Sequence, residues 1–292
     1  MASVISSAPG GPLASLFADD TALTLDAPDV ATAETVGGAA LSSVSDWLAG
    51  NRLVLNAAKT VQIVFCTKPS QRFRPDLSVG GVALVSAQTI DFLGVRFDDG
   101  LTWKPHISRL CGRLSSTIYL IRNLSFKVGS ATLKSVYHAL FESHLRYGVE
   151  CWGGSSEMTR VFKLQKRAVR AVAGVWDRRA SCRPLFSSLG VLPLPSLYIG
   201  ALLVYTHGLG LMTNGDLHDH DTRGRGRLHL EGRRLASTAR GPTPLGSRLV
   251  NKLPPSVVSL PPRAFKRKVL KILQDGCPYS IQEFMDLDFR YL

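Results

Sequence analysis

The chain has 292 residues, with 35 Lys and Arg against 22 Asp and Glu, for a formal net charge of +13. Hydrophobic residues make up 45% and charged residues 20%, a folded-protein composition that excludes disordered, collagen-like and disulfide-dense classes. Cys66, Cys111, Cys151, Cys182 and Cys277 stand far apart with no CxxC pair. Neither a zinc ribbon nor a disulfide framework is indicated, and such scattered thiols fit a reducing, intracellular compartment.

No stretch of about 18 apolar residues occurs, so no membrane partner is expected. The longest apolar run, Tyr198 to Tyr205, is short and interrupted by Gly200, and Met1 to Leu16 has no basic residue ahead of its apolar part, unlike a secretory signal. The charge is uneven: residues 1–100 carry 6 basic and 10 acidic side chains, residues 101–200 carry 15 and 4, and residues 201–292 carry 14 and 8. Carboxylates in the first third suit a metal and cations in the rest suit a polyanion, although two solvated faces of opposite sign would look the same.

In chain order, Leu16-Phe17-Ala18, Asp19-Asp20 and Thr21 to Leu25 read as strand, acidic turn, strand. Residues 32–49 predict a helix with Val36, Ala40, Val44, Trp47 and Leu48 on one face, stopped by Gly50-Asn51. Val61 to Cys66 predicts a strand, Leu77 to Val85 a hairpin turning at Gly80-Gly81, and Gln88 to Phe97 a further strand ended by Asp98-Asp99-Gly100.

Beyond Gly100 the period lengthens from two to about 3.6. Ile107, Leu110, Cys111, Leu114, Ile118 and Ile121 share one helical face; Leu133, Val136, Tyr137, Leu140 and His144 share a second; Val161, Leu164, Ala168, Ala171 and Val175 share a third. On that third helix Lys163, Lys166, Arg167 and Arg170 recur at i, i+3, i+4 and i+7 as a basic stripe. Leu185 to Leu189 and Leu197 to Leu211 suggest further helices. From His218 to about Pro262 periodicity fades into an Arg- and Gly-rich arm; a last helix follows over Arg263 to Gln274, and Ser280 with Glu283 forms a capping box. His218, His220 and His229 lack ligand partners at matching spacing, which favours a polar loop over a metal site. Tyr198 and Tyr205 read as helix core rather than base-stacking rings.

The sharpest local signal is Phe17-Ala18-Asp19-Asp20. Two adjacent carboxylates between apolar strands repel each other, and a divalent cation relieves that repulsion. A polar turn, as at Asp98-Asp99-Gly100, is the plain alternative.

The order of short motifs around this pair is more specific than any one of them. Asp19-Asp20-Thr21 is followed by Trp47, Asn51-Arg52-Leu53-Val54-Leu55-Asn56, Lys59-Thr60, Phe92-Leu93-Gly94-Val95, Leu101-Thr102-Trp103 and His106-Ile107. Then come Tyr137, Leu145-Arg146-Tyr147-Gly148, Trp152-Gly153, Leu164-Gln165-Lys166-Arg167-Ala168, Thr222-Arg223, Asn251-Lys252-Leu253-Pro254 and Phe265-Lys266. From about Leu16 to its end the chain resembles the reverse transcriptase, or RNA-directed DNA polymerase, of jockey-like non-LTR retrotransposons. The resemblance implies that Asp19 and Asp20 are catalytic carboxylates that bind Mg²⁺ and that Lys59 lies near the phosphates of the incoming nucleotide. It also implies that Phe92, Leu93 and Gly94 position the primer end. The stripe Lys163, Lys166, Arg167 and Arg170 would contact template–primer phosphates without reading sequence. The implied partners are an RNA template, a DNA primer or RNA–DNA duplex, and deoxynucleoside triphosphates.

The expected fold is α+β. Residues 1–15 form a leader outside the family pattern, expected to be disordered. Residues 16–100 form a partial palm, an antiparallel sheet with one packed helix. Residues 101–215 form a helical thumb, and residues 216–292 an irregular basic arm with a C-terminal helix. The family pattern also calls for an earlier catalytic aspartate and fingers, and Met1 to Ser15 contains no Asp or Glu. The expectation is therefore a polymerase fragment, inactive alone, whose sheet leaves an edge and an apolar face uncovered. A non-catalytic nucleic-acid-binding module is the alternative. A metal-dependent hydrolase would need a further ligand, and the first 60 residues offer only Asp26, Asp29, Glu34 and Asp46.

Overall fold

The computed structural model describes residues 12–18, 20–66, 72–177, 179–217, 224–230 and 241–289. The chain divides into two compact units, Met1–Pro105 and His106–Leu292, and combines helices with small sheets.

In the first unit β1 (Leu13–Phe17) and β2 (Asp20–Thr24) pair antiparallel, with Leu13 opposite Thr24 and Phe17 opposite Asp20. Residues 13–15, expected in the leader, therefore lie in a strand; residues 1–11 fall outside the described residues. Leu13, Leu16 and Phe17 are exposed on this ribbon. Helix α1 (Val30–Gly50) begins where the Asp29 carboxylate accepts from the Thr32 N–H at 2.8 Å. It ends at Asn51, whose side chain donates to the Trp47 carbonyl. Its buried stripe is Ala33, Gly37, Ala40 and Val44. Small side chains there let Leu25 and Leu77 approach the helix at Gly37. Val36, Trp47 and Leu48 are only half-buried.

The expected single antiparallel sheet is instead four two-stranded pieces among the described residues. β3 (Val61–Gln62) pairs in parallel with β6 (Val85–Ser86); β4 (Ser78–Val79) and β5 (Val82–Ala83) form the Gly80-Gly81 hairpin. The strand expected over Gln88 to Phe97 is a hairpin of β7 (Thr89–Phe92) and β8 (Val95–Asp98). Leu93 and Gly94 adopt φ of +47° and +77° at its tip. Two left-handed residues in succession make the tight turn whose twist suits a hairpin, and alternation of side chains could not reveal it. Phe97 of β8 meets Phe65 edge-on and Trp103 at a tilt.

The second unit is helical. In α2 (Lys104–Leu124) Ile107, Leu110, Leu114, Ile118 and Ile121 are buried, the face that periodicity predicts. The next face differs. Leu133 of α3 (Ser130–Val136), Tyr137 and Phe141 of a π-helical turn (Tyr137–Glu142), Leu145 of α4 (Ser143–Arg146) and Val149 of α5 (Val149–Trp152) are buried, while Leu140 is exposed. A spacing of four overshoots an α-turn, and the wider π-turn absorbs the excess.

Helix α8 (Leu194–Gly208) is apolar around its circumference and forms the centre of the unit. Against it pack α4, α5, α6 (Met158–Val172), α10 (Pro242–Val250) and α12 (Pro262–Gly276). The α8–α10 crossing is close enough that a Cβ on Gly246 would overlap the Thr206 hydroxyl. The arm expected to be irregular thus contains α10, with Leu245, Leu249 and Val250 buried, and the short α11 (Pro255–Val258). Its prolines start helices at the first turn rather than break them. Helix α7 (Arg183–Leu189), the short α9 (Asn214–Leu217) and α13 (Ile281–Met285) complete the unit, and Ser280 caps α13 by accepting from the Glu283 N–H. Near α9, Leu228 bridges to Thr213, and both backbone polar groups of Leu228 bond the Asn251 side chain. No single helix among the described residues is long and apolar enough to cross a membrane.

Candidate functional site

Of the Asp-Asp pair only Asp20 is among the described residues, and it is the first residue of β2, opposite Phe17 of β1. Ala18 turns with φ +51°, Asp19 lies outside the described residues, and Asp20 opens β2 with its side chain exposed. No three His, Cys, Asp or Glu side chains gather around a common point among the described residues. Two of the described carboxylates that follow have other roles: Asp29 caps α1, and Glu34 accepts from the Asp76 N–H at 2.8 Å. The described side chains do not by themselves make up a Mg²⁺ site.

Lys59 ends a 3₁₀ turn (Ala57–Lys59) fixed by Asn56, whose side chain accepts from the Lys59 N–H at 3.2 Å. The lysine is exposed. Phe92, Leu93 and Gly94 form the tip of the β7–β8 hairpin, with Phe92 paired to Val95. A leucine held at φ +47° is strained, because its Cβ crowds the following carbonyl.

Asp98-Asp99-Gly100 reads in the sequence as a simple polar turn. Asp98 is instead buried and accepts from the Thr102 N–H (2.9 Å), the Thr102 hydroxyl (2.9 Å) and the Trp103 N–H (2.8 Å). Burial works against its charge, but these three donors outweigh burial and hold the carboxyl below the ordinary carboxylate range.

The basic stripe on α6 divides in two. Lys163 and Arg167 are exposed. Lys166 lies over the rings of Phe162 (4.3 Å) and Tyr279 (5.1 Å), and Arg170 donates to the Ala180 carbonyl at 2.9 Å. Two of the four cations are thus engaged in packing. Between them on the buried side, Gln165 donates to the Tyr137 hydroxyl and the Leu192 carbonyl, both at 2.9 Å, and accepts from the Leu194 N–H at 2.7 Å. This fully buried amide ties α6 to the π-turn and to the start of α8. Burial also pushes the Tyr137 phenol far above its ordinary pKa.

Other groupings have no simple sequence signature. Glu142, buried in the π-turn, accepts from His138 Nδ1 and from Arg146, four residues to either side. Spacing alone would not show that the carboxylate is the buried member. Phe126 and Trp176 stack in solvent with Arg122 beside them. Tyr198 is buried as expected, whereas Tyr205 is 45% exposed. His229 is exposed and its Nδ1 lies 3.2 Å from the Asn214 side-chain oxygen; His218 and His220 fall outside the described residues.

The chain resembles RNA-directed DNA polymerases of jockey-like non-LTR retrotransposons. Three such proteins of Drosophila melanogaster are similar to it. The probable RNA-directed DNA polymerase from transposon BS is 27% identical over 165 residues, 55% of this chain and 18% of that protein. The enzyme from mobile element jockey is 22% identical over 174 residues, 57% of this chain and 19% of that protein. The probable enzyme from transposon X-element is 22% identical over 135 residues, 44% of this chain and 15% of that protein. The matched region thus spans less than a fifth of each relative and about half of this chain, where sequence motifs suggest nearly all of it. No protein-family model and no solved structure matches the chain.

Proposed function

We propose that these 292 residues are a segment of a retrotransposon RNA-directed DNA polymerase. Residues 16–100 act as part of the palm, residues 101–215 as the thumb, and residues 216–292 as a basic extension. Asp19 and Asp20 serve as carboxylates toward Mg²⁺, and Lys59 acts toward the nucleotide phosphates. Phe92, Leu93 and Gly94 position a primer end. Lys163 and Arg167, exposed at i and i+4, contact template–primer phosphates, with Lys166 and Arg170 stiffening the helix that carries them. The supporting observation is that all three curated relatives are named as RNA-directed DNA polymerases of mobile elements. Exposed Leu13, Leu16 and Phe17 add to it, since a two-stranded ribbon with uncovered apolar side chains suits a place in a larger sheet.

The residues matched to the pattern include its paired carboxylates but not its earlier aspartate or its fingers, and the behaviour expected of this polypeptide assayed alone is nucleic-acid binding without polymerisation. Primer extension by the purified chain with Mg²⁺ and deoxynucleoside triphosphates is expected to give no cDNA; robust synthesis would overturn inactivity. Filter binding of an RNA–DNA duplex across a salt series is expected to show a log–log slope set by phosphate contacts. Replacing both Lys163 and Arg167 with Ala is expected to reduce that slope by about 2, at about 1 for each phosphate-bound cation removed. A salt-independent affinity would exclude phosphate contacts.

A further inference from the structure

Large aromatic rings left in water need a reason, and two of them here are held parallel. Phe126 follows the last turn of α2, held by bonds from the Ser125 N–H to Ile121 and from the Lys127 N–H to Leu124. Trp176 follows α6, which ends where Gly174 adopts φ +69° and the Val175 N–H returns to the Arg170 carbonyl. The Phe126 and Trp176 rings stack with centroids 5.4 Å apart and planes 4° apart. The Arg122 guanidinium lies 5.6 Å from the Trp176 ring centre. Phe126 is 78% exposed and Trp176 47% exposed. With one Phe126 face against Trp176 and most of its surface in water, the other face is open.

The chemistry around the rings selects an occupant. No Asp or Glu occurs from Gly100 to Phe141 or from Met158 to Trp176, so both chain segments that deliver the rings are free of acid. Arg122 supplies a cation beside Trp176, and Lys127 follows Phe126 directly in the chain. Asp177, the nearest acid in sequence, accepts from the Arg179 N–H. A flat π-face flanked by cations suits a base with its phosphate, and such stacking tolerates any base.

We propose that Phe126, Trp176 and Arg122 form a platform on which an unpaired base of single-stranded nucleic acid stacks. This rests on the reading that the helical unit handles nucleic acid and adds the place and mode of contact for a single strand. Two labelled probes of equal length and phosphate count test it on the full chain: an oligothymidylate and the same oligomer made of abasic sites. The wild-type chain is expected to prefer oligothymidylate by about tenfold, the scale of one stacked base. Trp176→Ala and Phe126→Ala are expected to abolish the preference, Trp176→Phe to retain it, and thermal melts to be unchanged because both side chains lie at the surface. Replacing Lys163 and Arg167 with Ala should weaken both probes alike. Equal, salt-dependent binding of both probes by the wild type would overturn the platform while leaving the phosphate-binding reading standing. Binding of neither probe would overturn both. Sedimentation showing a dimer that Trp176→Ala dissolves, without a thymidylate preference, would assign the rings to self-association and overturn the platform.

Discussion

The two units differ in how fully they bury their large apolar side chains. In Met1–Pro105 the buried stripe of α1 is Ala33, Gly37, Ala40 and Val44, while Leu13, Phe17, Leu53 and Val54 face solvent, Val54 at 94% exposure. In His106–Leu292, Trp152, Tyr137, Phe141, Phe186 and Leu194 are wholly buried. Turns and caps therefore define much of the first unit, whereas packing defines the second. Two-stranded ribbons are marginal without cover, so the first unit depends on single hydrogen bonds and backbone angles to a degree the second does not.

The largest test of that contrast is Trp152→Ala. Its ring is fully buried and its Nε1 donates to the Tyr147 carbonyl at 3.0 Å. Truncation is expected to cost about 3–5 kcal/mol, read as a lowered denaturant midpoint for the helical unit, with amide exchange in residues 13–24 unaffected. Loss confined to the first unit would invert the comparison.

Gln165→Leu comes next. It keeps roughly the same side-chain size but orphans the Tyr137 hydroxyl, the Leu192 carbonyl and the Leu194 N–H. The expected cost is about 2–4 kcal/mol, since unsatisfied buried groups carry most of their desolvation penalty. A double-mutant cycle with Tyr137→Phe should show coupling; strictly additive costs would mean that the amide does not join α6 to the π-turn.

The same contrast explains what is legible in the sequence. Long helices are, because burial repeats at 3.6: the α2 face matches, and Pro262 opens α12 as a first-turn proline should. The first two strands are legible as a pair too, although β1 begins earlier than expected and Asp20 belongs to β2. The second helical face slips by one because a π-turn leaves no residue signature, so Phe141 and Leu145 take the place expected of Leu140 and His144. Helix α10 escapes notice because Pro242, Pro244 and Gly246 depress local propensity, while contact with α8 compensates. At the candidate site, spacing shows a four-residue cationic stripe, but only tertiary contacts show that Lys166 and Arg170 face aromatic rings and a carbonyl.

In the first unit a smaller loss is expected from Asp98→Ala. Removing the acceptor of the Thr102 and Trp103 N–H groups should cost about 1 kcal/mol, as for a lost helix cap. The sign of its pH dependence follows from the lowered carboxyl pKa. The stabilisation is fully present above the unfolded value of about 3.9 and is lost as pH falls through the lower folded value. Amide exchange at Thr102 and Trp103 should therefore separate wild type from variant at neutral pH and converge in strong acid. A gap that persists in strong acid would show that the carboxylate charge is not what holds the turn.

The smallest expected effect bears most directly on function. Leu93 sits at φ +47° ahead of Gly94, a position that Asn occupies readily because its short polar side chain tolerates left-handed geometry. Leu93→Asn should stabilise the β7–β8 hairpin by about 0.5–1 kcal/mol, read as slower amide exchange across Thr89–Phe92 and Val95–Asp98. If that hairpin positions a primer end, the apolar side chain at its tip has a use that offsets the strain. The variant should then hold its hairpin more firmly and yet bind an RNA–DNA duplex more weakly. Slower exchange with unchanged duplex affinity would remove Leu93 from any nucleic-acid contact. Faster exchange would show that contacts of the Leu93 side chain already compensate for its backbone, making even the tip of this turn dependent on packing, as the helical unit is.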